Sequence, residues 1–215
     1  SIAHRDSAGG GGEINKGDVQ WMTAGSGVLH EEFLSESFMK TGGRQHFMQL
    51  WVNLPAKYKM TSPKYQNITS AQIPNVRIDN NGSYARIIAG QFRDTTGPAE
   101  TFSPVDLYDV VLVNKAIFSF NLPPDNNTML LVNNGKINVN GQDASTGDFV
   151  VFENEGERIE INASEETNIT VMSGQPLNEP IATYGPFVMN TKQEVVQAIE
   201  DFKSGKFGQL NKINN

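Results

Sequence analysis

The 215-residue sequence predicts an all-β fold that ends in one α-helix. Short apolar runs alternate with turns rich in glycine, proline and asparagine, a pattern typical of antiparallel sheets. Near the C-terminus the apolar residues change to helical spacing, directly after a motif that caps helices. The even spacing of the short strands predicts a sandwich, jelly roll or barrel.

The composition excludes several classes of protein. Hydrophobic residues make up 38% and charged residues 19% of the chain, as in ordinary globular domains. No apolar run approaches the roughly 20 residues of a membrane span, and no signal-peptide pattern opens the chain. A net charge of −7 argues against direct contact with nucleic acid, because phosphates require a basic surface. We therefore expect a monomer that contacts neither membrane nor nucleic acid.

The sequence contains no cysteine. This excludes a disulfide framework, a thiolate metal site and a cysteine nucleophile together. It also fits a reducing compartment. We expect a cytoplasmic protein, present in the nucleus as well if the source is a eukaryote.

Residues 1–75 are predicted to form strands joined by glycine-rich turns. The glycine run 9–12 predicts a hairpin loop, since glycine is too flexible for the interior of an element. Residues 17–32 predict a strand, a turn and a second strand. Residues 44–54 alternate in side-chain direction as a strand would, and Pro55 ends that strand because proline cannot donate to a ladder. Residues 55–75, with three prolines, are predicted to connect two halves.

The second half is predicted to be a series of short strands. Turn sequences such as Asn133-Asn-Gly135 and Asn140-Gly141 separate them. A Gly-Asp pair followed by a strand occurs at residues 17–18 and again at 147–148, which suggests a duplicated barrel. The predicted strands are 84–90, 105–113, 116–122, 128–133, 136–139, 148–153, 158–162 and 167–174.

The last predicted element is an amphipathic helix over residues 191–202. Thr191 and Glu194 have the spacing of a capping box, and Gly205 supplies the C-terminal stop. The helix has about three turns, so its apolar stripe must be buried against another element. The stripe consists of Val195, Ala198, Ile199 and Phe202.

His30 and Glu32 are the candidate metal ligands. A strand sends residues i and i+2 to the same face, so these two side chains point together while Glu31 points away. An imidazole and a carboxylate that converge are half of the ligand set of a non-haem Fe(II) site.

Six motifs, which together span most of the chain, resemble those of the pirin family. The resemblance implies two cupin barrels in tandem: a metal-type barrel and connector in residues 1–75, a metal-free barrel in 76–175, and a tail in 176–215 whose helix packs back on the first barrel. The motifs are Gly17-Asp-Val-Gln-Trp-Met-Thr-Ala-Gly25, Gly27-Val-Leu-His-Glu-Glu32, His46-Phe-Met-Gln-Leu-Trp-Val-Asn-Leu54, Pro63-Lys-Tyr-Gln66, Gly174-Gln-Pro-Leu-Asn-Glu-Pro180 and Gly185-Pro-Phe-Val-Met-Asn-Thr191.

The resemblance also implies a metal site. The family's ligands are three histidines and one glutamate in the first barrel; two of them match His30 and Glu32, and the other two belong to a His-Pro-His-Arg-Gly motif. The sequence contains no such motif, so we expect the segment that carries it to be lacking. Fe(II) is therefore expected in the complete protein and weak or absent binding in this chain. His4 and His46 are interpreted as structural histidines.

In the second barrel, Phe118-Ser-Phe120 stands where a cupin would carry His-x-His. The second half contains no histidine, so the resemblance implies a barrel with an apolar interior and no metal. We expect both phenylalanine rings to point inward.

The resemblance implies an iron-dependent dioxygenase that cleaves quercetin or a related flavonol, with a small aromatic molecule and O2 as substrates. His30 would be a metal ligand, and Glu32 a ligand or the catalytic base. Trp21, Met22 and Phe33 are candidates for the pocket wall or, equally, for core packing. The alternative is a non-enzymatic regulator that binds a transcription factor or a metabolic enzyme. A sugar-modifying or storage cupin would fit the fold but not the motifs.

Overall fold

The computed structural model describes residues 1–210 and confirms the predicted all-β fold with a C-terminal helix. The chain forms two compact units. Unit 1 contains Ser1–Ser70 and the described residues from Leu177 onward, and unit 2 contains Ala71–Pro176. Within residues 1–210, neither α-helix is long and apolar enough to cross a membrane.

Strands make up most of the regular structure. Two short 3-10 turns, Ala56–Tyr58 and Ser70–Gln72, precede and follow the strand at Lys64–Ile68. The α-helices are α1 (Glu36–Thr41) and α2 (Lys192–Lys203). The strands are β1 (Ile2–Asp6), β2 (Gly11–Ile14), β3 (Val19–Thr23), β4 (His30–Leu34), β5 (Lys64–Ile68), β6 (Asn75–Arg77), β7 (Tyr84–Ala89), β8 (Gln91–Phe92), β9 (Thr95–Thr96), β10 (Val105–Leu112), β11 (Ile117–Asn121), β12 (Asn127–Asn134), β13 (Lys136–Val139), β14 (Gln142–Ser145), β15 (Phe149–Val151), β16 (Arg158–Ala163), β17 (Thr167–Gly174), β18 (Ala182–Tyr184) and β19 (Phe187–Met189).

Unit 2 is built from two antiparallel sheets around one apolar core. The larger sheet has the order β15-β12-β17-β10-β7-β6, and the smaller has the order β11-β16-β13-β14. Buried and exposed residues alternate along β11, as expected where one face of a sheet is covered. Side chains from both sheets, among them Phe118, Leu130 and Ile161, belong to a single buried cluster.

Turn chemistry sets the strand boundaries in unit 2. Asn140 and Gly141 both have positive φ, 47° and 87°, as a type I′ hairpin turn requires. This turn joins β13 to β14, whose antiparallel register runs from Lys136 opposite Ser145 to Val139 opposite Gln142. The eight strands predicted for the second half are all present. The polar strand β14 was not predicted, and neither were the short strands β6, β8 and β9.

Two predictions for unit 1 are wrong. Residues 44–54 do not form a strand; no strand of the described part of the chain pairs with them, so the alternation has no ladder to stabilise it. Phe47 and Trp51 are consequently 57% and 64% exposed. The glycine run is also not entirely a loop, because Gly11 and Gly12 begin β2 and pair with β1. The short helix α1 was not predicted; Ser35 caps it by accepting a hydrogen bond from the Phe38 amide.

Helix α2 forms where the capping motif predicts it. Thr191 Oγ1 accepts from the Glu194 amide at 3.2 Å, and a Glu194 carboxylate oxygen accepts from the Thr191 amide at 2.7 Å. Val195 is buried at 6% exposure, but Phe202 is 49% exposed, so the apolar stripe is only partly covered. The helix contacts the β18–β19 hairpin.

Three aromatic rings of the tail, from β19, from α2 and from the segment after α2, pack together. Phe207 lies between 6.2 and 6.4 Å, ring centre to ring centre, from Phe202 and Phe187. Phe207 also covers Gly27, where a Cβ atom would come within 2.2 Å of the ring. Gly27 has a φ of 119°, a conformation that favours glycine. The tail therefore packs on the turn that leads into β4.

Two neighbouring residues of β11 should differ strongly in how much they contribute to the stability of unit 2. Phe118 is 1% exposed and stacks on Phe120 at 4.6 Å, whereas Ile117 is 64% exposed. Phe118→Ala should lower the free energy of unfolding by about 3–5 kcal/mol, because it leaves a cavity. Ile117→Ala should change it by less than about 0.5 kcal/mol. Urea denaturation followed by circular dichroism measures both, and equal effects would contradict the described core.

A second matched pair tests the docking of α2. Val195 is 6% exposed, and its neighbour Val196 is 55% exposed. Val195→Ala should destabilise unit 1 by about 1–2 kcal/mol, since it removes buried methyl groups. Val196→Ala should be neutral or slightly stabilising, because alanine is the better helix former. Proteolysis of the tail under native conditions measures the difference, and equal cleavage rates would show that the helix is not docked through Val195.

Candidate metal centre

Strands β1 and β4 place four ionisable side chains on one face of unit 1. Their antiparallel register sets His4 opposite Glu32 and Asp6 opposite His30. Directly opposed residues point to the same side of a sheet, as do residues two apart on one strand. Two imidazoles and two carboxylates therefore share a face, and the rings of His4 and His30 lie 6.2 Å apart.

His30 and Glu32 converge as the sequence predicts. His30 Nε2 lies 3.2 Å from Glu32 Oε1. Their side chains are 17% and 29% exposed, so the pair is partly open to solvent. The other ring nitrogen, His30 Nδ1, lies 3.2 Å from the hydroxyl of Tyr65 on β5. Both nitrogens of this imidazole thus have a polar partner.

His4 and His46 occupy very different environments. His4 is 3% exposed, its Nδ1 lies 2.6 Å from Gln20 Nε2, and its ring stacks on Tyr65 at 5.7 Å. Burial, and then the neighbouring His30, lower the pKa of His4, so this ring favours its neutral form. His46 is exposed on the segment that follows α1.

Asp6 is a buried carboxylate with one unused oxygen. Its Oδ1 accepts from the amides of Ala8 and Gly10, at 2.6 and 3.1 Å, and so closes the β1–β2 turn. Its Oδ2 is buried and has no hydrogen-bond partner among the described residues. Burial first, and then the Asp6 carboxylate, raise the pKa of the Tyr65 hydroxyl, which stays protonated at neutral pH.

Of the three candidate wall residues, one lies beside His30 and Glu32, and the other two point away from them. Met22 pairs with Tyr65 across β3 and β5, and the Tyr65 hydroxyl lies 2.7 Å from Met22 Sδ. Trp21 is adjacent to Met22 on β3 and points to the other face; Phe33, adjacent to Glu32 on β4, also points away from the pair. Met22 is thus the candidate that lies beside the site.

Asp6 and Tyr65 were not identified as site residues from the sequence. Asp6 is two residues after His4, so strand alternation could have placed it on the same face. Tyr65 lies within the quoted motif Pro63-Lys-Tyr-Gln66, but β5 pairs with β3 in a different sheet from that of β4, so only the packing of side chains between the two sheets brings it to His30.

The types of donor atom in His30 and Glu32 suit a metal ion. An imidazole nitrogen and a carboxylate oxygen are the ligand types of non-haem Fe(II). Within residues 1–210, however, no group of three or more His, Cys, Asp or Glu side chains is arranged to hold a metal ion. His30 and Glu32 could hold an ion as two of its ligands, and the remaining positions would need other donors.

In unit 2, the two residues that the sequence aligns with the His-x-His of a cupin lie in an apolar interior. Phe118 and Phe120 both point inward, at 1% and 7% exposure, as expected. Phe92 packs its ring edge against Phe118 at 5.8 Å. The three histidines of the chain, His4, His30 and His46, all lie in unit 1.

Comparison with known proteins places the chain in a family. The pirin model matches residues 1–52, and the model of the pirin C-terminal cupin domain matches residues 107–208. A Pseudomonas aeruginosa protein, provisionally named as a quercetin 2,3-dioxygenase, is 42% identical over 206 residues, which cover 96% of this chain and 72% of that protein. Human pirin is 34% identical over 214 residues, which cover 97% of this chain and 71% of its own length.

A solved structure gives the same result. The crystal structure of a quercetin 2,3-dioxygenase from Acinetobacter baumannii is 47% identical to the chain and superposes with a TM-score of 0.94. The match covers 98% of this chain and 73% of that one. The fold is therefore that of a cupin. The chain belongs to the pirin family.

Proposed function

We propose that the chain carries part of the metal site of a dioxygenase that cleaves quercetin or a related flavonol. The observation that carries the proposal is the convergence of His30 Nε2 and Glu32 Oε1, 3.2 Å apart on a partly exposed face. The relatives named as quercetin 2,3-dioxygenases support the substrate class. Iron in the Fe(II) state suits an imidazole and carboxylate donor set.

Each residue of the site would have a definite task. When bound, the iron would supply an electrophilic and redox-active centre for the flavonol and O2. His30 would hold the ion through Nε2, and Glu32 would hold it through Oε1 or accept the proton of the flavonol hydroxyl. Met22 would restrict the access of water to this face. Glu32 is therefore the proposed catalytic residue, and His30 and Glu32 are the proposed metal ligands.

We propose that this site belongs to the first of two tandem barrels. Residues 1–75 would form the metal-type barrel and connector, residues 76–175 the metal-free cupin barrel, and residues 176–215 a tail that packs back on the first barrel. The division into two compact units and the two family models support this arrangement. The cysteine-free composition favours a cytoplasmic protein, nuclear as well in a eukaryote. We also propose that the protein is a monomer.

A non-enzymatic regulator is the second candidate, and one surface favours it. Residues 47–52 expose five large apolar side chains in a row of six residues, from 39% to 64% each. Contiguous exposed apolar surface is typical of protein-binding sites. In this proposal the chain would bind a transcription factor or a metabolic enzyme, and the state of the metal would act as the switch. The side chains are Phe47, Met48, Leu50, Trp51 and Val52.

The enzymatic proposal is tested by removing one ligand. In a form of the protein that carries the family's first cupin motif, His30→Ala should abolish iron retention and quercetin turnover, because the ion loses its only proposed nitrogen ligand from β4. Metal analysis and the loss of quercetin absorbance measure the two effects. His46→Ala, at an exposed position, is the matched control. Unchanged turnover in His30→Ala would leave the regulatory function alone.

The ligand count makes a separate prediction for the 215-residue chain. Two protein donors leave an ion mostly hydrated, whereas catalytic sites normally fix three or more. Anaerobic titration with Fe(II) should therefore show weak binding or none. Tight binding of one ion per chain would contradict this ligand set and bring His4 or His46 into the site.

A further inference from the structure

The strongest unassigned feature of the molecule is the contact between the C-terminal tail and the start of β4. Both belong to unit 1, and they meet at Ser7, the residue that follows β1. We propose that Ser7 is a positioning residue whose hydroxyl ties the tail, at Phe207, to Leu29, and so fixes the backbone from which His30 projects. The part of this inference that concerns a metal ion rests on the proposed metal function.

The position of His30 depends on the residues on either side of it. Strand β4 lies at the edge of the sheet β2-β1-β4, so among the described residues only β1 pairs with it. Residue pairs in an antiparallel sheet alternate between hydrogen-bonded and non-hydrogen-bonded. The Ser7 amide donates to the Leu29 carbonyl at 2.9 Å, which makes Ser7 and Leu29 a hydrogen-bonded pair. The next pair, Asp6 and His30, is consequently non-hydrogen-bonded, so the His30 backbone is held through its neighbours.

The Ser7 hydroxyl replaces a backbone group at the end of this ladder. In a regular ladder the Leu29 amide would donate to the Ser7 carbonyl. Here the Leu29 amide donates to Ser7 Oγ, at 2.9 Å. The same hydroxyl donates its proton to the carbonyl of Phe207. Because a serine hydroxyl both donates and accepts, one side chain serves both partners, and donation to the tail leaves the lone pairs of Oγ for the Leu29 amide.

The tail approaches Ser7 closely. Gly208 follows the acceptor carbonyl and has a φ of 79°, and a Cβ atom there would lie 3.1 Å from Ser7 Cβ. Glycine suits both the conformation and the approach. The Gly208 amide donates to the Gly205 carbonyl at 3.1 Å, which closes a turn after α2. This turn presents the carbonyl of Phe207 to Ser7.

The ring of Phe207 makes a second contact with the same region. It lies on Gly27, two residues before Leu29. The tail therefore contacts the chain that enters β4 at two points, through a ring and through a backbone carbonyl. Both contacts hold the start of the strand in place without touching the side chains of His30 or Glu32. A ligand that is already held in its bound geometry loses less conformational freedom when it binds.

The first experiment uses the 215-residue chain and needs no metal. Ser7→Ala removes the hydroxyl, so the Leu29 amide loses its acceptor, and its hydrogen exchange, measured by NMR, should become about tenfold faster. The amide of Phe33, which lies opposite Ala3 near the other end of the same strand pair, should exchange as before. Unchanged exchange at Leu29 would overturn the inference. An equal increase at Leu29 and Phe33 would show a general loss of stability and would overturn it as well.

Tail cleavage in the same variant tests the other partner of the hydroxyl. The side chain of Lys206 is 63% exposed, and trypsin should cleave the bond between Lys206 and Phe207 faster in Ser7→Ala than in the original protein. Ser119→Ala, at an exposed position on β11 in unit 2, is the matched control and should change neither cleavage nor exchange. Faster exchange at Leu29 with unchanged cleavage would overturn the link to the tail.

Zn(II) affinity supplies a readout that a purely structural role would not move. In the form of the protein that carries the first cupin motif, calorimetric titration should show that Ser7→Ala binds Zn(II) about tenfold more weakly than the original protein. Ser119→Ala should bind normally. Equal affinity in Ser7→Ala and the original protein would overturn the positioning role while leaving the metal function intact. Failure of the original protein to bind Zn(II) would overturn the proposed metal function, and the exchange of the Leu29 amide distinguishes that case from a failure of the Ser7 contact.

Discussion

The register between β1 and β4 is the constraint on which the candidate site depends. It sets Asp6 opposite His30 and His4 opposite Glu32. If β4 shifted by one residue along β1, His30 and Glu32 would turn to the other face of the sheet, away from His4 and Asp6. On the other side of β1, Asp6 closes the β1–β2 turn by accepting from two backbone amides. The same carboxylate thus fixes the turn with one oxygen, and its charge contributes to the raised pKa of the Tyr65 hydroxyl.

Much of the fold could be predicted because local rules agree with tertiary structure in unit 2. There, strand alternation, turn residues and burial point to the same boundaries, and both predicted inward phenylalanines lie in the core. The exceptions have physical reasons. Strand β14 is polar and carries no alternation of apolar residues, so only its pairing with β13 defines it. Residues 44–54 alternate well, but alternation provides no partner for the backbone.

The candidate site also contains residues that could be predicted from the sequence and residues that could not. His30 and Glu32 could be predicted because they are two residues apart on one strand, and local geometry alone brings them together. Asp6 and Tyr65 lie 24 and 35 residues from His30 in sequence. Asp6 reaches it through the pairing of β1 with β4, and Tyr65 through a side-chain contact from the separate β3–β5 sheet, and no local pattern encodes either. The sequence therefore indicates the candidate pair and not the side chains that surround it. The buried, unpartnered oxygen of Asp6 could be found only from the structure.

The contact between Phe207 and Gly27 restricts which residues position 27 can accept. Gly27 is three residues before His30, and its backbone conformation and the ring above it leave no space for a side chain. Truncation of Phe207 would relieve the crowding but not the positive φ, so a second-site change cannot rescue a bulky residue at position 27. In a saturation-mutagenesis map, position 27 should therefore resemble an active-site residue in its intolerance although it contributes no chemical group. This intolerance reflects the backbone conformation of the turn before β4. It would mislead any search for catalytic residues based on mutational sensitivity alone.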